Sequence, residues 1–574
     1  MERGAGDWWT VECEAVSGDD YGYSLDGGPA LPDPRSPWQP YGVGGLSRLV
    51  DHSGFLWTDG AWGGISMGDA VIYELHTGTF STEGTFGGVA ERLDHVASLG
   101  ANVIELMPVA EFPGDRGWGY DGVNLFAPHH RYGGPGGLKH LVNACHARGI
   151  GVIMDVVYNH IGPEGNHLAA FGPYMETGRS TPWGKGLGLS DPDATEVRNF
   201  VIDNACMWIR DYHCDGLRVD AIQALRWEGA IGITREIQDA VRNIGKAQGR
   251  KVVLIAEDDI NDSSVVVDAQ KGGLGFDAVY ANTFQRALQP ALTGERSGHY
   301  HGFGSIAHLL EALQGPWVYA GHYARYLSAQ QEHNLRVCSC RFLVYLQNHD
   351  QVGNREQGER ISSLVSPGLA KIGAALTLLS PFTPMLFQGE EFAASSPFLF
   401  FTDHRQLTDP LSIWRSRMEE FADFDWAEKA VPDPQSAASF SGSKLRWEEL
   451  EEADHAAMLA WYRSLVSLRK ELDHTGVRFD PSCTLYDENA RWLRVARGQL
   501  LIAANLGAAP ATIPLTGAAR LRLASDSSIS ISAASLFLPP ETVAMALVQG
   551  STTDQKQEAT HNTRQGARQA EQGR

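Results

Sequence analysis

The chain has 574 residues and a net charge of −22, with 47 Lys and Arg against 69 Asp and Glu. That length allows several domains, and so acidic a chain argues against nucleic acid as a partner, because no basic surface is left for phosphates. No apolar run is long enough to span a bilayer, and the start, MERGAGDWWTVE, lacks the apolar core of a signal peptide. Seven cysteines are scattered without metal spacing, Cys338 and Cys340 making only a C-x-C. They fit buried or free thiols in a reducing cytoplasm.

Residues 1–68 are aromatic and glycine-rich with Pro and Asp punctuation, and read as a partial N-terminal β-sandwich. From Asp69 strand-like runs alternate with helical ones. Val71–Leu75 is the first strand, and a helix with Val89, Leu93 and Val96 on one face follows, stopped at Gly100. Val103–Leu106 is the second strand. Leu138, Leu141, Val142 and Cys145 form the next helical stripe, before a third strand at Gly151–Val157. Val197, Phe200, Val201 and Trp208 mark the helix before a fourth strand, Gly216–Asp220. Val252–Glu257, Asp277–Tyr280, Phe342–Asp350 and Pro384–Phe387 complete a set of eight, and Met458, Trp461, Tyr462 and Leu465 supply a closing helix. Eight apolar strands separated by helices predict a parallel (β/α)8 TIM barrel over 69–476. Residues 477–548 alternate as strands of a small C-terminal β-domain. Residues 549–574, polar throughout, read as a disordered tail.

Carboxylates gather where such a barrel carries its chemistry, at the C-terminal ends of strands: Asp155, Asp220, Glu257 and Asp350. Alternation along the fourth strand puts Arg218 and Asp220 on one face, and the cation holds that carboxylate ionised. Glu257 follows an apolar run, so desolvation raises its pKa toward that of a general acid, and Asp258 and Asp259 push the same way. One ionised and one protonated carboxyl are what glycoside hydrolysis needs. His160 and His349, beside Asn159 and Asn348, are candidate hydroxyl-binding imidazoles. Trp118 and Tyr120 flank Gly119 and offer rings to sugar C–H faces.

The segments Asp155-Val156-Val157-Tyr158-Asn159-His160, Gly216-Leu217-Arg218-Val219-Asp220, Ala256-Glu257-Asp258 and Gln347-Asn348-His349-Asp350 resemble the signature segments of the α-amylase family of glycoside hydrolases, in order and spacing. Within that family, LDGGPALPDPRSPWQP at 25–40, GPEGNHLAAFGPY at 162–174, TPWG at 181–184, LQNHDQVGNREQGER at 346–360 and FQGEEFAASSPFLFFTDH at 387–404 resemble the malto-oligosyltrehalose trehalohydrolases. The resemblance implies a retaining mechanism with Asp220 as nucleophile, Glu257 as acid/base and Asp350 stabilising the transition state. It implies that Arg218 orients Asp220 and that Asp155 supports the site. His160 and His349 would bind hydroxyls of the −1 glucose, and Tyr120 would stack beneath it. The implied reaction cuts the α-1,4 bond next to a terminal trehalose, with a malto-oligosyltrehalose synthase as pathway partner and no redox cofactor or catalytic metal.

This chain departs from the family pattern at three places. Gln223 stands where His is usual, Ala281-Asn282-Thr283-Phe284-Gln285 where Asn-Asp-Asp-Phe-His is usual, and Lys185-Gly186-Leu187-Gly188-Leu189 follows TPWG. These spare the three carboxylates and bear on substrate choice, so three other readings stay in view: a branching-type glucan transferase, another α-amylase-family hydrolase and a non-catalytic glucan-binding protein.

Overall fold

A computed structural model describes residues 1–4, 8–176, 184–191, 194–227, 229–315, 317–318, 337–406, 411–420, 424, 431–472, 479–515 and 517–548. The tail expected at 549–574, the domain boundary expected at 476/477 and Thr181-Pro182-Trp183 of the TPWG segment lie outside the described residues. Among the described residues no helix is long and apolar enough to cross a membrane, and no disulfide links any of the seven cysteines.

Eight parallel strands close into a barrel: β1 (Ile72–Leu75), β2 (Val103–Leu106), β3 (Gly151–Val156), β4 (Gly216–Val219), β5 (Val253–Ala256), β6 (Ala278–Tyr280), β7 (Phe342–Tyr345) and β8 (Thr383–Phe387). These are the eight strands read from the sequence, with ends adjusted by a residue or two, except at β7. There the apolar run stops at Tyr345, and Asp350 sits in the first turn of a short helix, His349–Gly353. The Asn348 side chain starts that helix by accepting from the backbone N–H of Asp350 at 2.9 Å and of Gln351 at 3.1 Å. The helix read around Val89 and Val96 is two, Phe86–Glu91 and Leu93–Leu99, divided at Arg92.

Every barrel-strand residue is buried, as a sheet covered on both faces requires. Alternation then separates two cores. Outward residues such as Tyr73, Leu75, Ile104 and Leu106 pack under the helices. Inward residues change character along the barrel axis. Ile72, Val103, Ile153, Val253, Ala278 and Leu343 fill the lower layers, with Ile65, Met67 and Ala70 packed against them. Two residues further along the same faces stand Glu74, Glu105, Asp155, Arg218, Ile255, Tyr280 and Tyr345. The barrel interior is thus oily at one end and charged at the other.

Residues 1–68, expected to form a partial sandwich, hold three ladders of two-residue strands, such as Asp20–Tyr21 with Ser47–Arg48. They rest on the barrel through Arg35 to Asp203 at 2.6 Å and the Trp62 indole N–H to Asp215 at 2.7 Å. The C-terminal region pairs a five-stranded antiparallel sheet with a three-stranded one around Leu501, Ile513, Leu536, Leu538 and Ala546. It docks on the helix Pro367–Leu378, where the Ser366 hydroxyl donates to Glu541 at 2.5 Å.

Candidate active site

The charged end of the barrel is organised by Arg218. Its guanidinium is buried, and one nitrogen (Nη1) reaches Asp220 at 2.7 Å and both oxygens of Asp155 at 2.9 Å. The other (Nη2) reaches Glu257 at 2.7 Å. Immediately after Asp220 the backbone of Ala221 turns left-handed, with φ 44°, a strained conformation for a residue with a side chain. That turn points the Ala221 N–H at Glu257, 3.1 Å away. The two carboxylates are therefore tied to each other by one side chain and one peptide.

Their environments push them apart. Burial opposes ionisation of Asp220, but Arg218, the Asn159 amide at 2.8 Å and nearby His160 outweigh it and hold the carboxyl below the usual aspartate range. Burial raises Glu257 well above the ordinary glutamate value; Arg218 opposes this, and Asp220, Asp350 and Asp259 reinforce it. Asp259 pushes as its sequence position suggested. Asp258 instead turns away to Arg226 at 3.2 Å, and the main causes of that shift are burial, Arg218, Asp220, Asp350 and Asp259.

Around this pair Tyr120 donates its hydroxyl to Asp155 at 2.6 Å and lies 2.8 Å from His349 Nε2, its ring stacked on the imidazole. Burial drives Asp155 up to about 6, against the pull of Arg218. Burial also works against charge on His349, but Asp350 and Glu74 override it and push the imidazole up to about 10. Asp350 is the most open of the three carboxylates, 36% exposed against 13% for Asp220 and 15% for Glu257.

Two expected sugar contacts have other partners. Trp118 is 5% exposed; its N–H goes to the Leu399 carbonyl at 2.9 Å, and its ring packs on Phe398, Phe400 and the edge of His349. It braces His349 instead of presenting a face to the cleft, because the left-handed Gly119 (φ 99°) folds the loop back on Pro108, where a Cβ would lie 2.1 Å from the carbonyl oxygen. His160 is buried with both ring nitrogens engaged, one on Asn159 and the other on the Tyr120 carbonyl at 2.7 Å. It locks the Tyr120 loop and the Asn159 amide that holds Asp220.

The cleft opens on the Glu257 side, lined by Asp259, Asn282, Gln285, Arg286, Tyr300, Tyr345, Gln351 and Arg355 as well as Glu257 and Asp350. Asn282 is fixed between Asp259 and the Tyr345 hydroxyl, 2.6 Å to each. Gln285 donates to Gln289 and to Tyr300. The side-chain carbonyl oxygens of Gln223, Gln285 and Gln351 are buried with no hydrogen-bond partner among the described residues. Two of the departures from the family pattern thus place buried glutamine carbonyls near the catalytic carboxylates.

Sequence reasoning missed Glu74, Glu105 and Tyr280. Glu74 accepts from His349 at 2.5 Å, Glu105 accepts from the Tyr280 hydroxyl, and Arg218 lies over the Tyr280 ring. The available signal was a single glutamate inside each of two otherwise apolar barrel strands. One further cluster, Glu111, His129 and His130, has the composition of a metal site. However, His129 Nδ1 accepts from the Arg131 N–H at 3.3 Å, which leaves the ring proton on the nitrogen facing Glu111, 3.8 Å away, where a metal needs a lone pair. The geometry fits a carboxylate hydrogen-bonded to the backbone and ring of His130, with the His129 ring packed alongside.

Comparison with known proteins agrees with this geometry. The family model for the alpha amylase catalytic domain matches residues 59–172, and one for a domain of unknown function, DUF3459, matches 479–545. A malto-oligosyltrehalose trehalohydrolase of Mycobacterium tuberculosis is 44% identical over 90% of this chain and 90% of its own length. One of Saccharolobus solfataricus is 41% identical over 82% of this chain and 81% of its own. A 1,4-alpha-glucan branching enzyme of Salinibacter ruber is 33% identical over only 48% of this chain. The crystal structure of a Salmonella typhimurium protein carried under the name alpha amylase superposes with a TM-score of 0.84, at 34% identity over 96% of this chain and 94% of that one. This chain belongs to the malto-oligosyltrehalose trehalohydrolase family of α-amylase-type glycoside hydrolases.

Proposed function

We propose that the enzyme hydrolyses, with retention, the α-1,4 bond next to the terminal trehalose of a malto-oligosyltrehalose, releasing trehalose and a shortened maltodextrin. The observation that carries the chemistry is the bridging of Asp220 and Glu257 by one guanidinium, with their proton affinities pushed in opposite directions. A pair so divided has its acid and its nucleophile assigned. One arginine spanning both carboxylates also suits the short separation, about 5–5.5 Å, of a retaining pair.

In this reading protonated Glu257 delivers its proton to the glycosidic oxygen as Asp220 bonds to the anomeric carbon. Asp220 loses its charge as Glu257 gains one, and Arg218, in contact with both, keeps a carboxylate partner throughout. Glu257 then takes a proton from water, which attacks the glycosyl ester and restores both groups. Asp350, more open to the cleft, faces the positive charge that develops on the sugar, and His349 holds the Tyr120 hydroxyl in place beside it. Trehalose occupies the Glu257 side, because the acid stands next to the leaving group. Residues 69–476 form the catalytic domain in this scheme. A malto-oligosyltrehalose synthase supplies the substrate, and the cytoplasm is the proposed compartment.

Product analysis with maltotriosyl-trehalose beside maltopentaose tests the reading. Fast trehalose release with slow maltopentaose cleavage is expected. New α-1,6 branches without trehalose would move the chain to a transferase, the activity named for a relative that matches 48% of this chain.

A further inference from the structure

Glu74 is buried on β1 and touches no part of the open cleft, yet both of its oxygens are spent on one residue. One (Oε1) lies 2.5 Å from His349 Nδ1, and the other (Oε2) accepts the His349 backbone N–H at 3.0 Å. On the far side of the imidazole, Nε2 lies 2.8 Å from the Tyr120 hydroxyl. Tyr120 has one proton, and Asp155 at 2.6 Å accepts it. The tyrosine oxygen facing His349 is therefore an acceptor, so Nε2 carries a proton. Nδ1 faces a carboxylate and carries the other.

We propose that Glu74 is a positioning residue that keeps His349 a doubly protonated imidazolium throughout the working pH range and so fixes the direction of the His349–Tyr120–Asp155–Arg218 hydrogen-bond chain. The charged and titratable groups facing His349 fit that role. Glu74 comes from β1, Asp350 from the helix His349 begins (3.6 Å from Nε2), Asp155 from β3 beyond Tyr120, and Arg218 from β4. His76, just after β1, is held neutral: burial lowers its pKa to about 3. Glu105, on the neighbouring strand, is driven up to about 8 by burial and by Glu74 itself, so it is mostly protonated at about pH 6–7. Asp350 turns toward substrate and Asp155 is shared with Arg218 and Tyr120. Glu74 is the carboxylate committed to His349 at both of its oxygens. A neutral His349 would leave either Tyr120 or Glu74 without its donor, and Tyr120 would be free to turn from Asp155.

The test is nitrogen NMR of protein labelled with 15N-histidine, the His349 signals assigned by their loss in His349→Asn, together with pH profiles of kcat/KM on any α-glucan the wild type cleaves. In the wild type both His349 nitrogens are expected to stay protonated from pH 5.5 to 8.5. In Glu74→Gln the His349 pKa is expected to fall by about two units or more. The ratio of kcat/KM at pH 8 to that at pH 6 is expected to fall about two-fold or more relative to wild type. Glu74→Asp, which keeps the charge, should restore that ratio. A wild-type His349 that is neutral at pH 7, with the shared proton on Glu74, overturns the proposal even if no variant folds. A loss of rate that is uniform with pH reduces Glu74 to a packing role. The NMR arm uses no substrate, so failure to release trehalose would overturn the proposed reaction and leave this inference standing.

Discussion

On the β1–β4 side of the site, Glu74, His349, Tyr120, Asp155, Arg218 and Asp220 form one unbroken chain of hydrogen bonds. On the β5–β7 side, Gln285 and Gln351 line an open cleft, and each keeps a buried carbonyl oxygen without a partner among the described residues. The first wall gains nothing more from a ligand, because its groups are already oriented; it is preorganised for charge that develops in the transition state. The second wall is incomplete until donors arrive, and an unmet buried acceptor costs about 1–3 kcal/mol. Sugar hydroxyls are such donors. Chemistry and substrate choice are thus divided between two faces of one barrel mouth, and substitutions on the two faces should fail in different ways.

The largest effect is expected from Asp220→Asn. It removes the nucleophile and leaves Arg218 facing an amide, so kcat should fall on the order of 10^4-fold or more while glucan affinity, measured by calorimetry, holds. The companion change Glu257→Gln should also stop turnover and retain binding. Wild-type kcat/KM should decline in acid only below the usual aspartate range, as Asp220 takes up a proton, and decline in base as pH rises through the elevated pKa of Glu257. An alkaline limb unchanged by Glu257→Gln would remove that residue from the acid role.

A second expectation concerns the floor beneath the ordered wall. Glu105 pairs across β1–β2 with Glu74, one of its oxygens has no partner among the described residues, and burial first, then Glu74, drives its pKa up to about 8. Its folded value exceeds the unfolded one near 4.5, so the stability tied to its proton is present below pH 4.5 and lost as pH rises toward 8. Glu105→Gln, neutral at every pH, should keep that stability. The gap between variant and wild type should grow from near zero at pH 4.5 to on the order of a few kcal/mol at pH 8. Calorimetry of both proteins across this range decides it, and parallel curves would show that Glu105 is ionised in the fold.

The same division governs what could be read from the sequence. The eight strands were legible because an apolar run ending in a turn has few other fates, and Arg218 and Asp220 were legible because strand alternation fixes a shared face at short range. Glu74 and Glu105 were not singled out. A single carboxylate within an apolar strand gives no hint whether it meets a histidine from a segment 275 positions later or a tyrosine 175 positions later. Asp350 was placed at a strand end, whereas a capping asparagine starts a helix there first. Trp118 and Tyr120 were read alike from their flanking positions; the left-handed glycine between them sends one ring into the core and one toward Asp155. Long-range closure and backbone handedness decide these cases, and neither has a local signature.

The smallest effect is expected on the open wall, at Gln285→His, which restores the residue usual in the family. Gln285 is uncharged and meets Gln289 and Tyr300 through its amide nitrogen; its carbonyl has no donor among the described residues. An imidazole can offer one acceptor or one donor when neutral, and only donors when charged. One neutral hydrogen bond is worth about 0.5–1.5 kcal/mol, so the preference for maltotriosyl-trehalose over maltopentaose should change by roughly two- to twelve-fold at pH 8. At pH 6 the charged ring would lose its acceptor and stand on the wall that carries Glu257 and Asp259. It would ease ionisation of Glu257 and draw the alkaline limb of the profile to lower pH. Asp220→Asn moves both substrates together, whereas Gln285→His should move their ratio. Equal change on both substrates would exclude Gln285 from choosing between them and leave Gln351 as the glutamine on this wall to test for that choice.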